Sequence, residues 1–325
     1  MIISASRRND IPAFFSEWFF NRIKEGFLLV RNPMNIHQVS RISLSPDVVD
    51  CIVFWSKNPT KMLNRLNEIN KFDYYFQFTV NGYGQRLEPN VIELDKVVDT
   101  FRKLSDSIGP KRVIWRYDPI VISAEYDYGF HVNNFGRIIK LLKGKTNRCV
   151  ISFVDLYKNA IRNMSPINPH DFTNEFIVRI SDAIKQIAQT YNVELVTCAE
   201  VIDLKMLGIS RGKCIDDKLI HEVFGTKLEV DKDKNQRQEC GCVASIDIGS
   251  YNTCPHNCLY CYANNNLNMV RENFASYDPK SPLLFGKIES NDKITDRKVY
   301  SCKEIQQVLF SENFIDAKRD VKNGS

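Results

Sequence analysis

Short runs of β-branched and aromatic residues recur along the chain, and segments with helical spacing or connecting loops separate them. The seven runs lie at residues 2–4, 49–55, 74–80, 112–117, 150–154, 194–197 and 243–248. Strands that alternate with helices form a parallel sheet. The run at 51–55 is continuously apolar, which is typical of a strand covered on both faces. The pattern therefore predicts an α/β fold.

Helical periodicity is clearest at residues 173–191, where apolar side chains form one stripe. The stripe consists of Phe176, Ile177, Ile180, Ile184, Ile187 and Tyr191. Weaker helical patterns lie at 95–107, 134–143 and 304–315. Another helix is expected to begin at Asp10 or Pro12 and to run through Lys24, with Gly26 as its stop. The runs 27–30 and 39–43 predict a small hairpin after that helix.

Polar residues follow each predicted strand. The first six of these exits lie at 6–10, 56–59, 81–84, 116–119, 155–158 and 198–200. Because the active sites of (β/α) barrels gather at the carboxyl ends of the strands, this distribution favours a (β/α) TIM-like barrel. An open doubly wound sheet would instead concentrate its ligands at one crevice. We expect the barrel to span residues 1–264 and a C-terminal extension, 265–325, to pack on it. Within the extension, 277–286 is expected to add a strand or cover the barrel, and 291–298 to form a charged connector.

Seven of the ten cysteines lie within residues 198–261. Three of them, Cys254, Cys258 and Cys261, follow the last predicted strand with three and then two intervening residues. This spacing lets one tight loop turn three thiolates toward a single inorganic centre, one ligand short of a closed four-cysteine site. A structural zinc ion and a set of unrelated thiols are the alternatives. His256, inside the loop, is expected to face the solvent.

The string Cys-Pro-His-Asn-Cys-Leu-Tyr-Cys-Tyr-Ala at 254–263 resembles the cluster loop of radical S-adenosylmethionine (SAM) enzymes. It is most similar to the spore photoproduct lyase-like branch of that superfamily. The resemblance implies a [4Fe–4S] cluster held by Cys254, Cys258 and Cys261, with SAM on the fourth iron. It also implies an electron donor, whose electron would release a 5′-deoxyadenosyl radical that abstracts hydrogen from a substrate. The chain as a whole resembles an uncharacterised prokaryotic domain-of-unknown-function family.

The position of this loop differs from that in most radical SAM enzymes. There it follows the first barrel strand, whereas here it lies near the C-terminus. Other segments resemble the lyase-like branch in the order expected if the cluster strand comes last. They are 54–59, Leu87-Glu88-Pro89 and 112–119, which ends in Trp-Arg-Tyr-Asp-Pro. The resemblance therefore implies a barrel that is circularly permuted relative to radical SAM barrels.

The remaining clustered cysteines could supply all four ligands of a metal site. They are Cys198, Cys214, Cys240 and Cys242. If the barrel closes, Cys198 and Cys240 come from the ends of adjoining units, so the four thiols can converge. An auxiliary [4Fe–4S] cluster, a structural zinc ion and the absence of any metal are the alternatives, and the two cysteine groups could exchange ligands. The other three thiols, expected to be ordinary buried or surface groups, are Cys51, Cys149 and Cys302.

Basic side chains follow several strands on what would be the same rim. They are Arg7, Arg8, Lys57 and Arg116. Converging cations suit an anionic substrate or the SAM carboxylate, and we predict that all but Arg8 contact the cofactor. Ion pairs with Asp10 and Asp118 are the alternative role. Tyr260 lies between two cysteines of the loop, so it is predicted to stack on adenine.

Other polar residues near the strand ends are weaker candidates. The tyrosines that could stack on a base are Tyr83, Tyr117 and Tyr157. The carboxylates near the cysteines are Glu200, Asp216, Asp217 and Asp247. A carboxylate there could orient a ligand or the SAM ribose, but Asp216 and Asp217 are better explained as a helix cap or a surface pair.

The net charge of +5 is mildly basic, and the cations are spread along the chain rather than gathered into a nucleic-acid footprint. The first residues lack the apolar region of a signal peptide, and no apolar run reaches the roughly 20 residues of a membrane span. These features predict a cytoplasmic protein without membrane contact.

The main hypothesis is a radical SAM-type enzyme that acts on an unknown substrate, either anionic or a nucleic acid. The alternative is a nucleic-acid-binding or repair-associated protein with a structural iron–sulfur or zinc site. A metal-independent hydrolase is not favoured, because no nucleophile–base pair stands out among the five histidines.

Overall fold

The computed structural model describes residues 1–304. Its main sheet has eight strands, and every neighbouring pair is parallel. From edge to edge the strands are β10 (Ile246–Asp247), β1 (Ile2–Ala5), β4 (Cys51–Ser56), β5 (Tyr74–Thr79), β6 (Val113–Ile120), β7 (Arg148–Phe153), β8 (Glu194–Thr197) and β9 (Ser210–Arg211). The predicted α/β fold with a parallel sheet is therefore confirmed.

The two edge strands differ most from the sequence patterns. The run at 243–248 contributes only β10 to the sheet, because Val243 turns away and its amide donates to Ile215 O at 3.2 Å. Strand β9 is not predicted at all, since two residues are too few to show a period. The other strands begin and end within a few residues of the predicted runs.

Eight α-helices lie within residues 1–304. They are α1 (Ile11–Phe14), α2 (Ser16–Glu25), α3 (Leu94–Ile108), α4 (Tyr128–Leu141), α5 (Lys158–Met164), α6 (Asn174–Thr190), α7 (Asp217–Phe224) and α8 (Leu267–Ala275). The longest, α6, begins where Thr173 accepts a bond from Phe176 N, as its pattern predicts. The helix predicted after Asp10 is broken at Phe15, and Gly26 ends it with a φ of 74°.

The described chain also contains short 3₁₀ helices. Four 3₁₀ helices lie at Thr60–Ile69, Pro110–Arg112, Ser165–Ile167 and Lys205–Leu207. The helix predicted at 304–315 lies outside the described residues apart from its first residue.

Side chains alternate between the two faces of the main sheet, as strand geometry requires. On one face Ile52 and Phe54 of β4 join the large core beneath the helices. On the opposite face, here called the inner face, Val53 and Tyr75 belong to a separate buried cluster. That cluster is completed by residues 214–243, which include α7. The segment that covers the inner face therefore carries three of the cysteines.

A small second sheet flanks α2. Strands β2 (Phe27–Asn32) and β3 (Asn35–Ser43) form the predicted hairpin, and β11 (Lys293–Asp296) pairs with β3 in parallel. The predicted connector at 291–298 thus contains a strand. Trp18 of α2 donates through Nε1 to Ser281 O at 2.9 Å, so the segment before β11 covers this helix. Within the described chain, no helix has the length and apolarity to cross a bilayer.

Candidate metal and cofactor site

The loop that carries Cys254, Cys258 and Cys261, here called the cysteine loop, begins soon after β10 at the carboxyl ends of the parallel strands. Two bonds close it on itself. Asn264 Nδ2 donates to Cys254 O at 2.7 Å, and Cys261 N donates to Cys258 O at 3.0 Å. These contacts hold the three predicted ligands on one compact loop.

The three thiols of the cysteine loop all have a pKa above the ordinary value. Burial is the main cause at each, and at Cys254 the charges of Asp10 and of the other two thiolates add to it. The Lys57 ammonium opposes the rise at Cys258 and Cys261. The thiols therefore lie near enough to affect one another, and they need a cation in order to ionise near neutral pH.

The spacing of the cysteine sulfurs limits the kind of centre that the loop is ready to hold. Around one tetrahedral zinc ion, Zn–S bonds of about 2.3 Å place the sulfurs about 3.8 Å apart. Among residues 1–304, no three cysteine sulfurs all lie within 4.8 Å of one another. The cysteine loop is therefore not already arranged around a single small ion.

A buried polar network joins the end of β4 to the cysteine loop. Lys57 Nζ donates to Glu88 Oε1 at 2.7 Å and to the Tyr260 oxygen at 2.8 Å. The Tyr260 hydroxyl also bonds to Glu88, and Asn81 Nδ2 donates to the same carboxylate at 3.2 Å. Burial lowers the pKa of Lys57, but Glu88 and Cys258 raise it overall, so the ammonium stays charged. Two predicted cofactor residues, Lys57 and Tyr260, are thus brought together.

His256 does not face the solvent, so that prediction is wrong. Its side chain is 5% exposed, and its Nε2 lies 2.9 Å from Asp10 Oδ2. The ring packs edge-on against Phe14 with 4.6 Å between the ring centroids. The same Asp10 oxygen accepts a bond from Lys57 N at 2.7 Å. Spacing within the loop carries no information about α1, which packs on it and buries the imidazole.

Arg7 and Arg8 follow β1 and point in different directions. Arg7 N donates to Asp247 Oδ2 at 2.9 Å, and its guanidinium lies 3.4 Å from Asp233 Oδ2. Arg8 lies over the ring of Tyr251, with 5.1 Å between its guanidinium carbon and the ring centroid. Arg7 is therefore directed toward the segment that covers the inner face.

The side-chain bonds of Arg116 are made to residues outside the cysteine loop. It pairs with Asp118 at 2.5 Å, which was the alternative role considered for it. Its Nη1 donates to Gln77 Oε1 at 3.2 Å and to Cys214 Sγ at 2.9 Å. The structure thus places Arg116 beside the second group of cysteines.

The second group converges from three segments of the chain. Its members, here called the four-thiol group, are Cys198 after β8, Cys214 after β9, and Cys240 and Cys242 before β10. Cys198 Sγ and Cys214 Sγ lie 3.1 Å apart. A bond with Cys198 lowers the pKa of Cys214, but Cys242 and burial outweigh it and raise that pKa to about 11. A bond with Cys242 lowers the pKa of Cys240, so these two thiols also lie together.

Arg7 is electrostatically linked to this group. Burial lowers the pKa of Arg7, but Asp247 and the thiolates of Cys242 and Cys214 raise it overall. Its Nη1 is buried without a hydrogen-bond partner among residues 1–304. Two guanidinium groups, those of Arg7 and Arg116, therefore lie near the four sulfurs.

Buried polar atoms without partners concentrate near the cysteine loop. In the described part of the chain there are nine such side-chain atoms, and five belong to Asn9 or to residues 256–264. The five are Asn9 Nδ2, Asn9 Oδ1, His256 Nδ1, Asn257 Oδ1 and Asn264 Oδ1, whereas Arg7 Nη1 belongs to the side chain directed toward the four-thiol group. Each unpaired buried group costs about 1–3 kcal/mol. Their concentration is typical of a binding site whose ligand completes the bonds.

The carboxylates considered as weaker candidates have local roles. Asp216 caps α7, and Asp217 pairs with Lys213, four residues earlier and before the helix. Asp247 accepts bonds from the β1 exit. Glu200 accepts a bond from Phe153 N at 2.9 Å, and burial raises its pKa to about 7.

Two of the three weaker tyrosine candidates are buried in the fold. Tyr83 and Tyr117 are 5% and 1% exposed, and each already bonds within the protein. Tyr157 is exposed and bonds to Arg237. Tyr260 is the one of the four that the structure holds within the cysteine loop.

Three residues beside the loop were not predicted as site residues: Asn9, Asn81 and Glu88. Asn9 and Asn81 follow β1 and β5, so their position at strand ends was a usable signal. Glu88 lies in the Leu87-Glu88-Pro89 segment that carried part of the resemblance, but only its contacts identify it as a site residue.

The family profile described as Domain of unknown function (DUF1848) matches residues 2–263. The chain belongs to the DUF1848 family. The match begins in β1 and ends just after Cys261, so both cysteine groups lie within the DUF1848 region. Membership in an uncharacterised family, as the sequence predicted, is confirmed. No curated protein and no solved structure matches the chain.

Proposed function

We propose that this DUF1848 protein is a radical SAM-type enzyme and that its cysteine loop binds a [4Fe–4S] cluster. The observation that carries the proposal is the placement of Cys254, Cys258 and Cys261 on one loop at the carboxyl ends of the strands, beside a concentration of unpaired polar atoms. Three thiolates leave one iron of such a cluster without a protein ligand.

We further propose that the main sheet is a circularly permuted (β/α) barrel. Support comes from the bond of Val243 N to Ile215 O at 3.2 Å. Ile215 follows the edge strand β9 and Val243 precedes the other edge strand, β10. A link between the two edges is expected if the strands surround the inner face. The carboxyl ends of barrel strands are where active sites gather.

The residues beside the loop fit the group. When bound and reduced by an electron donor, the cluster with SAM supplies a 5′-deoxyadenosyl radical that takes hydrogen from a substrate. Asn9 and Asn264 offer unpaired amide atoms that suit the polar groups of SAM. The Tyr260 ring, held by its hydroxyl, supplies a flat apolar surface for adenine.

Lys57 acts on the loop as a positioning residue. Its ammonium favours the thiolate of Cys258, whose pKa burial raises. Its bond to Tyr260 fixes the residue between the second and third cysteines. Glu88 pairs with Lys57 and balances the charge of its buried ammonium. Lys57 therefore prepares the loop for a metal centre.

The alternative function, nucleic-acid binding with a structural metal site, has less support. Three of the four rim cations that would contact phosphates are already paired: Arg7 with Asp233, Lys57 with Glu88, and Arg116 with Asp118. Phosphate contacts would have to break these bonds first. We therefore place this function second.

The test is anaerobic purification, cluster reconstitution, and reaction with dithionite and SAM. Wild-type protein should bind iron and sulfide at the cysteine loop and release 5′-deoxyadenosine and methionine. Cys258→Ala should lose the cluster absorbance and the SAM cleavage together. Cys302→Ala is the matched control, because Cys302 is half-buried and lies outside both cysteine groups. A Cys258→Ala protein that still cleaves SAM, or a wild type that takes up no iron, contradicts the proposal.

A further inference from the structure

We infer that the four-thiol group is a second metal site, separate from the cysteine loop, that binds a single zinc ion. We infer also that the bound ion ties the two edges of the main sheet together. The thiols come from the ends of β8 and β9 on one side and from the segment before β10 on the other. Four cysteines are the complete ligand set of a closed structural zinc site.

The first support is the contact between the thiols. Cys198 Sγ and Cys214 Sγ lie 3.1 Å apart, and Cys242 lies next to both Cys214 and Cys240. The four sulfurs are not yet arranged as a tetrahedron, since no three lie within 4.8 Å of one another among residues 1–304. Binding of one ion would therefore require rotation of cysteine side chains, as the cysteine loop would also require for a single ion.

Contact between sulfurs favours one ion over an iron–sulfur cluster. A four-iron cluster places its own sulfide and iron atoms between the cysteine ligands, which keeps those ligands apart. Here Cys214 and Cys242 are 5% and 2% exposed and pack with Ile215 in the inner-face cluster. Tetrahedral zinc needs only the roughly 3.8 Å sulfur spacing that follows from its bond length.

The second support is the set of donors aimed at the sulfurs. The backbone amides of Cys214 and Ile215 lie 3.3 and 3.4 Å from Cys242 Sγ. Arg116 Nη1 donates to Cys214 Sγ at 2.9 Å. Donors of this kind stabilise thiolates, and partners behind the ligands orient them and tune metal binding.

The third support is charge. A divalent ion with four thiolates carries a net charge of −2, which is costly to bury unless cations balance it. Arg116 contacts the group while it also pairs with Asp118, and Arg7, which pairs with Asp233, has a buried nitrogen without a partner in the described chain. The two guanidinium groups therefore offset part of that charge. Binding releases the four thiol protons to solvent, so the sulfurs need no oxidation or reduction.

The position of the group explains what the ion would do. Cys214 lies three residues beyond β9, and Cys242 lies four residues before β10. These are the two edge strands of the eight-stranded sheet. Glycines allow the approach of the two segments: a Cβ on Gly241 would lie 3.2 Å from Lys213 Cγ. The ion would therefore have a structural role: it would link the segments next to the two edge strands on the inner face.

The experiment measures metal in the full-length protein purified without added iron. Native mass spectrometry and elemental analysis should find one zinc ion per chain. That ion should remain when Cys254, Cys258 and Cys261 are all changed to Ala, so the result is independent of the cluster proposal. Cys214→Ser and Cys242→Ser should lose zinc, whereas Cys302→Ser should keep it. Refolding with cobalt(II) should give the absorption of a tetrahedral thiolate site in the wild type.

Several results would overturn the inference. One is a wild type with no bound zinc and no cobalt absorption, which needs no variant to fold. Another is a Cys198–Cys214 disulfide in protein kept under reducing conditions. Iron and sulfide in the protein that lacks the three loop cysteines would also overturn it, because they would indicate a cluster in place of zinc. Zinc retained in a folded Cys214→Ser/Cys242→Ser double variant would do the same.

Discussion

Lys57 Nζ donates a 2.8 Å hydrogen bond to the Tyr260 oxygen across 203 residues of sequence. Lys57 follows β4, the third strand from the β10 edge of the sheet, whereas Tyr260 lies between two cysteines of the loop that follows β10 itself. The two residues meet because parallel strands bring their carboxyl ends to one side of the sheet. This contact links the cysteine loop to the core of the fold.

The Lys57–Glu88 pair should be costly to break from one side only. Lys57→Met leaves the Glu88 side chain, 5% exposed, without its cation, and should lower the free energy of unfolding by about 3–5 kcal/mol. The double variant Lys57→Met/Glu88→Gln should recover part of that loss, because no buried charge remains. Urea unfolding of the four proteins in this cycle measures the coupling.

The control for this cycle is an exposed pair on α3. Lys103→Met removes the partner of Asp99 and should cost only about 0.3–0.5 kcal/mol. Equal losses of unfolding free energy for Lys57→Met and Lys103→Met would show that the buried pair stabilises the protein no more than an exposed pair does.

His131 should make the protein less stable in acid. Burial lowers the pKa of His131 to about 4, and its Nε2 donates to Val121 O at 2.8 Å. The unfolded chain takes up a proton near pH 6.5, whereas the folded protein does so only near pH 4. The stability from neutral His131 is therefore present above pH 6.5 and is lost as the pH falls toward 4, by about 3 kcal/mol in total.

Denaturant unfolding at several pH values tests this prediction. His131→Gln should be less stable at pH 7 but should lose less stability between pH 6.5 and pH 4, because the titrating group is gone. His221→Gln, on an exposed turn of α7, should keep the wild-type slope. A His131→Gln slope equal to that of the wild type would refute the assignment.

Gly249 should not tolerate a side chain. A Cβ there would lie 2.1 Å from Ser6 Oγ and 2.4 Å from Asn9 Oδ1, where the end of β1 meets the end of β10. Gly249→Ala must displace the side chains of Ser6 and Asn9 and should cost about 1–3 kcal/mol. Gly136→Ala in α4 is the matched control, because its Cβ meets only one atom at 4.0 Å and alanine should stabilise the helix by about 0.5–1 kcal/mol. Thermal unfolding should give a lower Tm for Gly249→Ala and a higher Tm for Gly136→Ala than for the wild type.

Asp10 should be sensitive to loss of its charge. Its carboxylate accepts four bonds, from Ala13 N, Ser56 Oγ, Lys57 N and His256 Nε2. Asp10→Asn replaces one accepting oxygen with a donor and should cost about 1.5–3 kcal/mol. Asp278→Asn, at an exposed turn, should be nearly neutral. If Asp10→Asn leaves the free energy of unfolding unchanged in chemical denaturation, the bond to His256 does not anchor the cysteine loop.

Much of the fold was predictable because it depends on local periodicity. The stripe at 173–191 predicts α6, and the apolar run at 51–55 predicts β4. Each pattern depends only on how side chains are spaced along its own helix or strand. The edge strands β9 and β10 were harder. They have two residues each, and their pairing is decided by contacts with other segments.

The candidate site divides in the same way. The sequence by itself determined which residues share the cysteine loop, because Cys254, Cys258 and Cys261 are neighbours along the chain. It also showed that four other cysteines were available as a set. Only the tertiary structure decided that His256 is buried against Asp10 and that Lys57 meets Tyr260. Those contacts depend on the order of the strands and on the packing of distant segments, which no short-range pattern encodes.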